Sequence, residues 1–320
     1  MLKKTVWLIF ASLLVLTLAA CGSNSEEKDS SDSEGSDAKE SETMEIKQEL
    51  GDTEVPKNPE NIVVFDYGVL DSLDKLGVDV AGVAKGGLIP SYLDKFESDD
   101  YENIGSLKEP DFEKIAEINP DVIFISARQS SVYDQLAEIA PTVYLGVDPA
   151  NYMESFKANM NTLGEIFNKQ AEIEEELAAI DASVEEVKAK AEEMDKKALI
   201  ALANDDKISA YGPSSRFGLI HDVFGVPPVD ENIEASTHGM NVSFEYVMEQ
   251  NPDLLYVIDR SAAIGEEPAA KNLVENELVK ETKAYKNDNI AYLDPEFWYL
   301  SGGGLVSVQK MIKEVEASLE

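Results

Sequence analysis

The sequence of 320 residues is short of several residue types, and each shortage excludes a kind of site. One cysteine and two histidines leave no disulfide framework, no cysteine-based zinc site and no histidine-rich metal cage. Asp and Glu number 63 against 27 Lys and Arg, which gives a net charge of −36. Because phosphate backbones are bound by clustered cations, this balance argues against a nucleic-acid partner.

Motifs of the common hydrolases are also missing. The sequence contains neither G-x-S-x-G nor H-E-x-x-H, and the glycines at 302–304 are not followed by the G-K-[ST] of a phosphate loop. We therefore expect no catalytic residues and no cofactor. An extracytoplasmic hydrolase remains the weaker alternative.

The first twenty residues have the pattern of a targeting segment. Lys3 and Lys4 precede an apolar run at 6–20, which is shorter than the roughly 20 residues that a membrane-spanning helix needs. The run ends in Leu-Ala-Ala-Cys, which resembles the lipobox of bacterial lipoproteins. We predict a cleaved signal peptide at 1–20 and a lipid on Cys21. An uncleaved anchor followed by a free cysteine is the alternative.

Composition then divides the rest of the chain. Residues 21–43 are rich in Ser, Gly, Asp and Glu and poor in large apolar residues, which predicts a disordered acidic tether. We predict an N-terminal lobe at 44–168, an inter-lobe helix at 169–196 and a C-terminal lobe at 197–320. The fold class predicted for the two lobes is α/β, because short β-branched runs alternate with helical stretches and favour parallel-rich sheets covered by helices. The predicted strands are 62–65, 80–83, 122–125, 142–145, 198–203, 208–211, 254–258 and 290–293.

The segment 170–194 contains neither Gly nor Pro, and its apolar residues recur every three or four positions. This spacing predicts one long helix with a single buried face. A coiled-coil dimer is the alternative, but the stripe is short and both flanks have globular patterns, so we predict a rigid helix that joins two lobes of one chain. The stripe consists of Ile173, Leu177, Ile180, Val184, Val187, Ala191 and Met194.

An internal repeat supports two related lobes. Residues 112–128 read FEKIAEINPDVIFISAR, and residues 244–260 read FEYVMEQNPDLLYVIDR. Each copy predicts a short helix, an Asn-Pro-Asp turn, a buried strand and a loop that starts with arginine. Ligands of open α/β folds bind at the carboxyl ends of the strands. We therefore expect Arg128 and Arg260 to face each other across a cleft between the lobes.

The chain has only three arginines, and the third, Arg216, lies in the turn-rich stretch GPSSRFG. Lysine provides the remaining cations. Arginine presents a planar fork of donors that grips paired oxygens and stacks on aromatic rings. The pattern predicts a pocket for an anionic, aromatic ligand. Ordinary surface positions in a lysine-biased composition are the alternative.

The lipobox, the long helix and the loops SARQ, GPSSRFG, STHG, VIDR and WYLSGGG resemble the siderophore-binding lipoproteins of ABC importers. These belong to the helix-hinged class of periplasmic binding proteins. The resemblance implies a monomer that captures a ferric catecholate siderophore of the petrobactin type. It implies delivery to a permease with a cytoplasmic ATPase, from the outer face of a Gram-positive cell membrane. Another iron chelate, haem or cobalamin is the alternative ligand.

The same resemblance implies a role for particular residues. The arginines would form the basic floor of the pocket, and His238 and Tyr299 would complete the coordination of iron when a siderophore supplies fewer than six donors. Loop and wall positions without metal contact are the alternatives for these two. The further implied residues are Trp298 beside Tyr299, Lys85 and Lys108 as added charge, and Glu113 and Glu245 as permease-docking acids. Solvent-exposed lysines and ordinary helix-start acids are the alternatives for these four charged residues.

Overall fold

The computed structural model of the protein describes residues 42–320. The predicted signal peptide, Cys21 and nearly all of the predicted tether lie outside these residues. Within them, no helix is both long enough and apolar enough to cross a membrane. The strands are β1 Thr43–Ile46, β2 Thr53–Pro56, β3 Ile62–Val64, β4 Gly82–Val83, β5 Glu102–Asn103, β6 Val122–Ile125, β7 Thr142–Tyr144, β8 Ala198–Asn204, β9 Lys207–Tyr211, β10 Met240–Val242, β11 Leu254–Asp259 and β12 Ile290–Leu293.

Helices connect most of these strands. A π-helical turn at Glu296–Leu300 and short 3-10 turns, among them Ser91–Glu97 and Ala127–Val132, complete the connections. The α-helices are α1 Tyr67–Lys75, α2 Phe112–Ile118, α3 Tyr133–Ala137, α4 Tyr152–Phe167, α5 Gln170–Met194, α6 Leu219–Asp222, α7 Phe244–Gln250, α8 Arg260–Ala263, α9 Ala270–Val274, α10 Lys283–Lys286 and α11 Leu305–Ser318.

The strands form one five-stranded sheet in each lobe, which confirms the predicted α/β class. The N-terminal sheet has the order β5-β4-β3-β6-β7, and all of its neighbouring strands are parallel. Its central strands β3 and β6 are buried at every position because helices cover both faces. Strands β1 and β2 form a separate antiparallel pair that the sequence patterns did not predict.

The C-terminal sheet has the corresponding order β10-β9-β8-β11-β12. Strands β8, β11 and β12 are parallel, whereas β9 runs antiparallel to both β8 and β10. Only residues 205 and 206 separate β8 from β9, and Asp205 has a φ of 54°. So short a connection joins antiparallel strands only, because a parallel crossover needs a dozen residues or more.

The long helix α5 joins the two lobes, as the apolar stripe predicted. Six of the seven stripe residues are buried, and Met194 packs partly buried against the same core. The stripe lies against α4 and α11 of the same chain. The hydrophobic face of α5 is therefore buried inside one chain, which accounts for the stripe without a coiled-coil partner.

The sequence repeat corresponds to a structural repeat. Helices α2 and α7 have seven residues each, and both end at an asparagine in the left-handed conformation, Asn119 with φ 52° and Asn251 with φ 47°. The aspartate of each turn accepts backbone N–H groups just before the neighbouring strand: Asp121 from Glu60 and Asn61, and Asp253 from Lys197. The Asn-Pro-Asp sequence thus ends a helix and fixes a strand start in each lobe.

The lobes also meet where α11 begins. The start of α11 lies on α1 so closely that a Cβ on Gly304 would overlap the carboxylate of Asp71. That carboxylate is 1% exposed and accepts hydrogen bonds from the backbone N–H of Val306 at 3.2 Å and of Ser307 at 3.0 Å. The hydroxyl of Tyr92 donates to it at 3.1 Å. A buried carboxyl of the N-terminal lobe therefore caps a helix of the C-terminal lobe.

Candidate ligand-binding site

The candidate site is built at the carboxyl ends of parallel strands. Arg128 follows β6, Arg260 follows β11, and Tyr299 lies in the π-helical turn after β12. Arg216 enters from the turn that follows β9. One guanidinium comes from the N-terminal lobe and two come from the C-terminal lobe, so the group spans both.

Tyr299 is the residue that the arginines share. The Nη2 atoms of Arg128 and Arg216 both donate to the Tyr299 carbonyl, at 2.8 Å and 2.7 Å. The Arg216 guanidinium also lies 4.1 Å from the centre of the Tyr299 ring, which is a cation–π contact. Arg260 donates from Nη1 to Asn204 Oδ1 at 3.0 Å. We call Arg128, Arg216, Arg260 and Tyr299 the arginine–tyrosine cluster.

The cluster changes the acidity of its own members. Burial acts to raise the pKa of the Tyr299 phenol, but the charge of Arg216 and the hydrogen bonds from Arg260 and Arg216 outweigh burial and bring the pKa below its usual range. Burial, and then the positive charge of Arg128, lowers the pKa of Arg216. Both shifts show concentrated positive charge, which stabilises an anion.

Within residues 42–320, no carboxylate pairs with any guanidinium of the cluster. Every ion pair in the described part of the chain, with an N···O separation up to 4.0 Å, is made by lysine. The chain has 63 acidic residues, so unpaired guanidiniums are not explained by a shortage of carboxylates. The positive charge of the cluster is left available to a ligand.

Trp298 and His238 take different positions relative to the cluster. The indole of Trp298 is 3% exposed and donates to Glu314 Oε2 at 2.6 Å, so its N–H is directed toward α11. His238 is exposed and precedes Gly239, which packs against the ring of Tyr211. No group of three or more His, Cys, Asp or Glu residues that could hold a metal ion occurs in the described part of the chain.

Lys85 and Lys108 lie on adjacent loops of the N-terminal lobe. Gly86 donates its backbone N–H to Gly105, which joins the two loops. The Lys85 ammonium donates to the carbonyl of Ser98 at 2.5 Å, whereas Lys108 is exposed. Lys108 is the more available of the two for a ligand.

Glu113 and Glu245 occupy matching positions on the two lobes. Each is exposed and lies in the first turn of its helix, α2 or α7. The caps of these helices are other residues, Asp111 and Ser243. Hydrogen bonds from its own backbone N–H and from the Ser243 side chain lower the pKa of Glu245. Neither glutamate is needed as a cap.

Sequence reasoning missed Asn204 and Tyr211. Asn204 ends β8 and orients Arg260, and its position at the end of a predicted strand was the available signal. Tyr211 ends β9 and is 1% exposed, and its pKa is affected by Arg216 and Tyr299.

Comparison with known proteins gives the class of the chain. The family model for periplasmic binding proteins, Peripla_BP_2, matches residues 62–297, so the chain belongs to this family. The petrobactin-binding protein YclQ of Bacillus subtilis is 54% identical over 100% of both chains. The ferric-anguibactin-binding protein FatB of Vibrio anguillarum is 35% identical over 84% of this chain and 85% of its own.

Solved structures agree with these relatives. The crystal structure of YclQ has a TM-score of 0.85 at 56% identity and covers 87% of this chain and 99% of its own. The periplasmic catecholate-siderophore-binding protein VctP of Vibrio cholerae has a TM-score of 0.82 at 35% identity and covers 86% of this chain and 100% of its own. The resemblance recognised in the sequence is thereby confirmed.

Proposed function

We propose that the protein is the substrate-binding lipoprotein of an ABC importer, which captures a ferric catecholate siderophore of the petrobactin type and delivers it to a permease for iron uptake. It acts by binding and carries out no chemistry on its ligand. The observation that carries the proposal is the arginine–tyrosine cluster, in which guanidiniums from both lobes, unpaired by carboxylates, surround one tyrosine. The names of YclQ and VctP support the ligand class.

The chemistry of the ligand matches the cluster. A tris-catecholate complex of Fe(III) is a trianion with exposed aromatic rings and clustered oxygens. Arginine forks neutralise such oxygens with charge-assisted hydrogen bonds and stack on the rings. The net charge of −36 repels an anion at long range, but ionic screening over about 8 Å at physiological salt leaves the local cluster in control.

A fluorescence titration tests the proposal. One of the two tryptophans, Trp298, adjoins Tyr299, so a ferric chelate bound at the cluster is expected to quench its emission. The purified protein is titrated with a ferric tris-catecholate, a ferric hydroxamate, haem, cobalamin and free Fe(III). We expect saturable quenching at the lowest concentration with the catecholate. Tighter binding of haem, cobalamin or the hydroxamate would replace the proposed ligand with that alternative.

A ferric chelate with fewer than six donor atoms is expected to use Tyr299 as an iron ligand, with His238 as a second. The lowered pKa of Tyr299 favours the phenolate that Fe(III) prefers. Adding a bis-catecholate ferric complex should therefore shift its charge-transfer band, and Tyr299→Phe should abolish the shift. Tyr292→Phe is the control, because that hydroxyl is bonded to Glu275. A band unchanged by the wild-type protein would remove iron ligation from the proposal.

Delivery is proposed to use Glu113 and Glu245, with Cys21 as the lipid anchor. Two exposed carboxylates at equivalent places on the two lobes would orient the protein over a permease with paired arginines. Exposed charge pairs contribute only about 0.2–1 kcal/mol each, so both must be replaced for a clear effect. We expect Glu113→Ala with Glu245→Ala to reduce siderophore-dependent uptake by cells while the affinity of the purified protein stays unchanged.

A matched pair of acids controls for lost surface charge. Glu117 and Glu249 lie four residues further along the same two helices and are also exposed. Glu117→Ala with Glu249→Ala should leave uptake at the wild-type rate. Equal uptake by both double variants, at equal abundance in the membrane, would refute docking through Glu113 and Glu245.

A further inference from the structure

One buried hydroxyl beside the cluster has no hydrogen-bond partner. In the described part of the chain, the unpaired buried side-chain atoms are Tyr152 Oη, Tyr211 Oη and His221 Nε2. Tyr211 packs against Phe217, whose ring lies 5.1 Å from the Arg216 guanidinium, so Tyr211 lies near the cluster. Burying a hydroxyl without a partner costs free energy. A ligand oxygen would provide the missing acceptor.

The neighbours of Tyr211 hold its ring in one position. Phe217 packs against it edge to face, with the ring centres 4.6 Å apart at 62°. Gly239 closes the other side: a Cβ there would lie 2.8 Å from Cζ, the carbon that carries the hydroxyl. Gly239 has a φ of +72°, a conformation that suits glycine. The ring is thus fixed by Phe217, which also adjoins the Arg216 guanidinium at 5.1 Å.

The segment 234–238, which leads into Gly239, is held by few contacts. All five residues are exposed, and none of them forms a hydrogen bond with another residue of 42–320. Few contacts and an exposed backbone are the features of segments that open at little cost in free energy. His238 is the last residue of the segment and directly precedes Gly239, which contacts the Tyr211 ring. Gly239 lies against Cε2 and Cζ of the Tyr211 ring, so movement of the segment that precedes it would loosen the contact nearest the hydroxyl.

We propose that the Tyr211 hydroxyl is a further ligand contact, which donates a hydrogen bond to an anionic oxygen of the bound ferric chelate once the 234–238 segment moves. This inference rests on the proposed function. The Tyr211 hydroxyl would add a neutral, directional hydrogen-bond donor to a site that otherwise binds its ligand through the charge of the arginines. The guanidiniums accept many arrangements of oxygen, whereas one fixed hydroxyl selects chelates that place an oxygen at that point.

The two tyrosines of the site then have different roles. The pKa of Tyr299 is lowered, which suits a phenolate ligand to iron, whereas burial raises the pKa of Tyr211 to about 12 although Arg216 acts to lower it. A phenol that keeps its proton is a hydrogen-bond donor and a poor metal ligand. The different surroundings of the two tyrosines thus make Tyr299 the candidate metal ligand and Tyr211 the hydrogen-bond donor.

The variant Tyr211→Phe removes only this hydroxyl. Because the hydroxyl is unpaired in the free protein, we expect the Tm of the ligand-free variant to equal or exceed that of the wild type. Its affinity for a ferric tris-catecholate should fall at least tenfold, as expected for one hydrogen bond to a charged acceptor. Tryptophan fluorescence titration and thermal unfolding measure the two quantities on the same purified protein.

Tyr256→Phe is the matched control. Its hydroxyl lies 2.8 Å from Ser318 Oγ in the core of the same lobe, so its loss should lower the Tm and leave affinity unchanged. Wild-type affinity in Tyr211→Phe would overturn the inference, while catecholate binding by the wild type would leave the proposed function intact. A lowered Tm in Tyr211→Phe would also overturn it, because the hydroxyl would then have a partner within the protein.

Discussion

Arg216→Ala is expected to weaken binding of a ferric tris-catecholate by about 1.5–3 kcal/mol, the range for hydrogen bonds to charged groups. Arg216 bonds to the Tyr299 carbonyl and stacks on the Tyr299 ring, so its loss removes both a donor to the ligand and the support of the cluster. Arg128→Ala and Arg260→Ala should each cost a similar amount. The triple variant should show no saturable quenching at any accessible concentration.

Two controls separate the shape of arginine from its charge. Arg216→Lys keeps a cation but loses the planar fork and the stacking surface, so affinity should recover only in part. Lys108→Ala removes one exposed cation and should change affinity by no more than an ordinary surface charge does, about 0.2–1 kcal/mol. If the triple alanine variant binds like the wild type, the ligand pocket lies elsewhere.

Most of the architecture could be predicted from periodicity alone. The spacing of Ile173 and its successors determines which face of α5 is buried, and the Asn-Pro-Asp repeat marks the same helix end and strand start in both lobes. The strand β9 was predicted, but its direction depends on a two-residue turn whose geometry is set by local conformation. Strand periodicity carries no information on direction.

The site could be predicted less completely. The rarity of arginine identified the cationic members of the cluster, but not their arrangement around Tyr299, which requires the π-helical turn that the sequence pattern does not reveal. Trp298 was predicted beside the ligand through its adjacency to Tyr299, and this stays a prediction; the structure adds that its indole donates a hydrogen bond to Glu314. Tyr211 and Asp71 gave no signal, because their importance lies in contacts between segments distant in sequence.

Asp71 is the side chain whose loss should most affect stability. Its carboxyl accepts two backbone N–H groups at the start of α11 and the hydroxyls of Ser72 and Tyr92. Asp71→Ala would leave the backbone N–H groups of Val306 and Ser307 without their acceptor and open a space beneath Gly304, whereas the hydroxyls of Ser72 and Tyr92 keep Gly68 and Ser301 as acceptors. We expect a loss of about 3–5 kcal/mol in the free energy of unfolding. For a domain of this size, that corresponds to a fall in Tm of roughly 10 °C.

The pH dependence of stability tests the same carboxyl in a second way. Burial raises the pKa of Asp71 to about 7 from an ordinary value of 3.8, although hydrogen bonds from Ser307, Val306 and Tyr92 oppose the shift. Between these values the folded protein holds a proton that the unfolded chain has lost, so the contribution of Asp71 to stability falls as pH rises through this window.

Asp71→Asn should retain an acceptor for the helix start and cannot ionise. The free energy of unfolding of the wild type, relative to this variant, should therefore decrease from pH 4 to pH 7 and then level off. Urea unfolding of both proteins across this range measures the difference and cancels the titration of the other carboxyls. A difference that is constant with pH would mean that Asp71 is ionised in the folded protein, with the capping bonds to α11 outweighing the cost of burial.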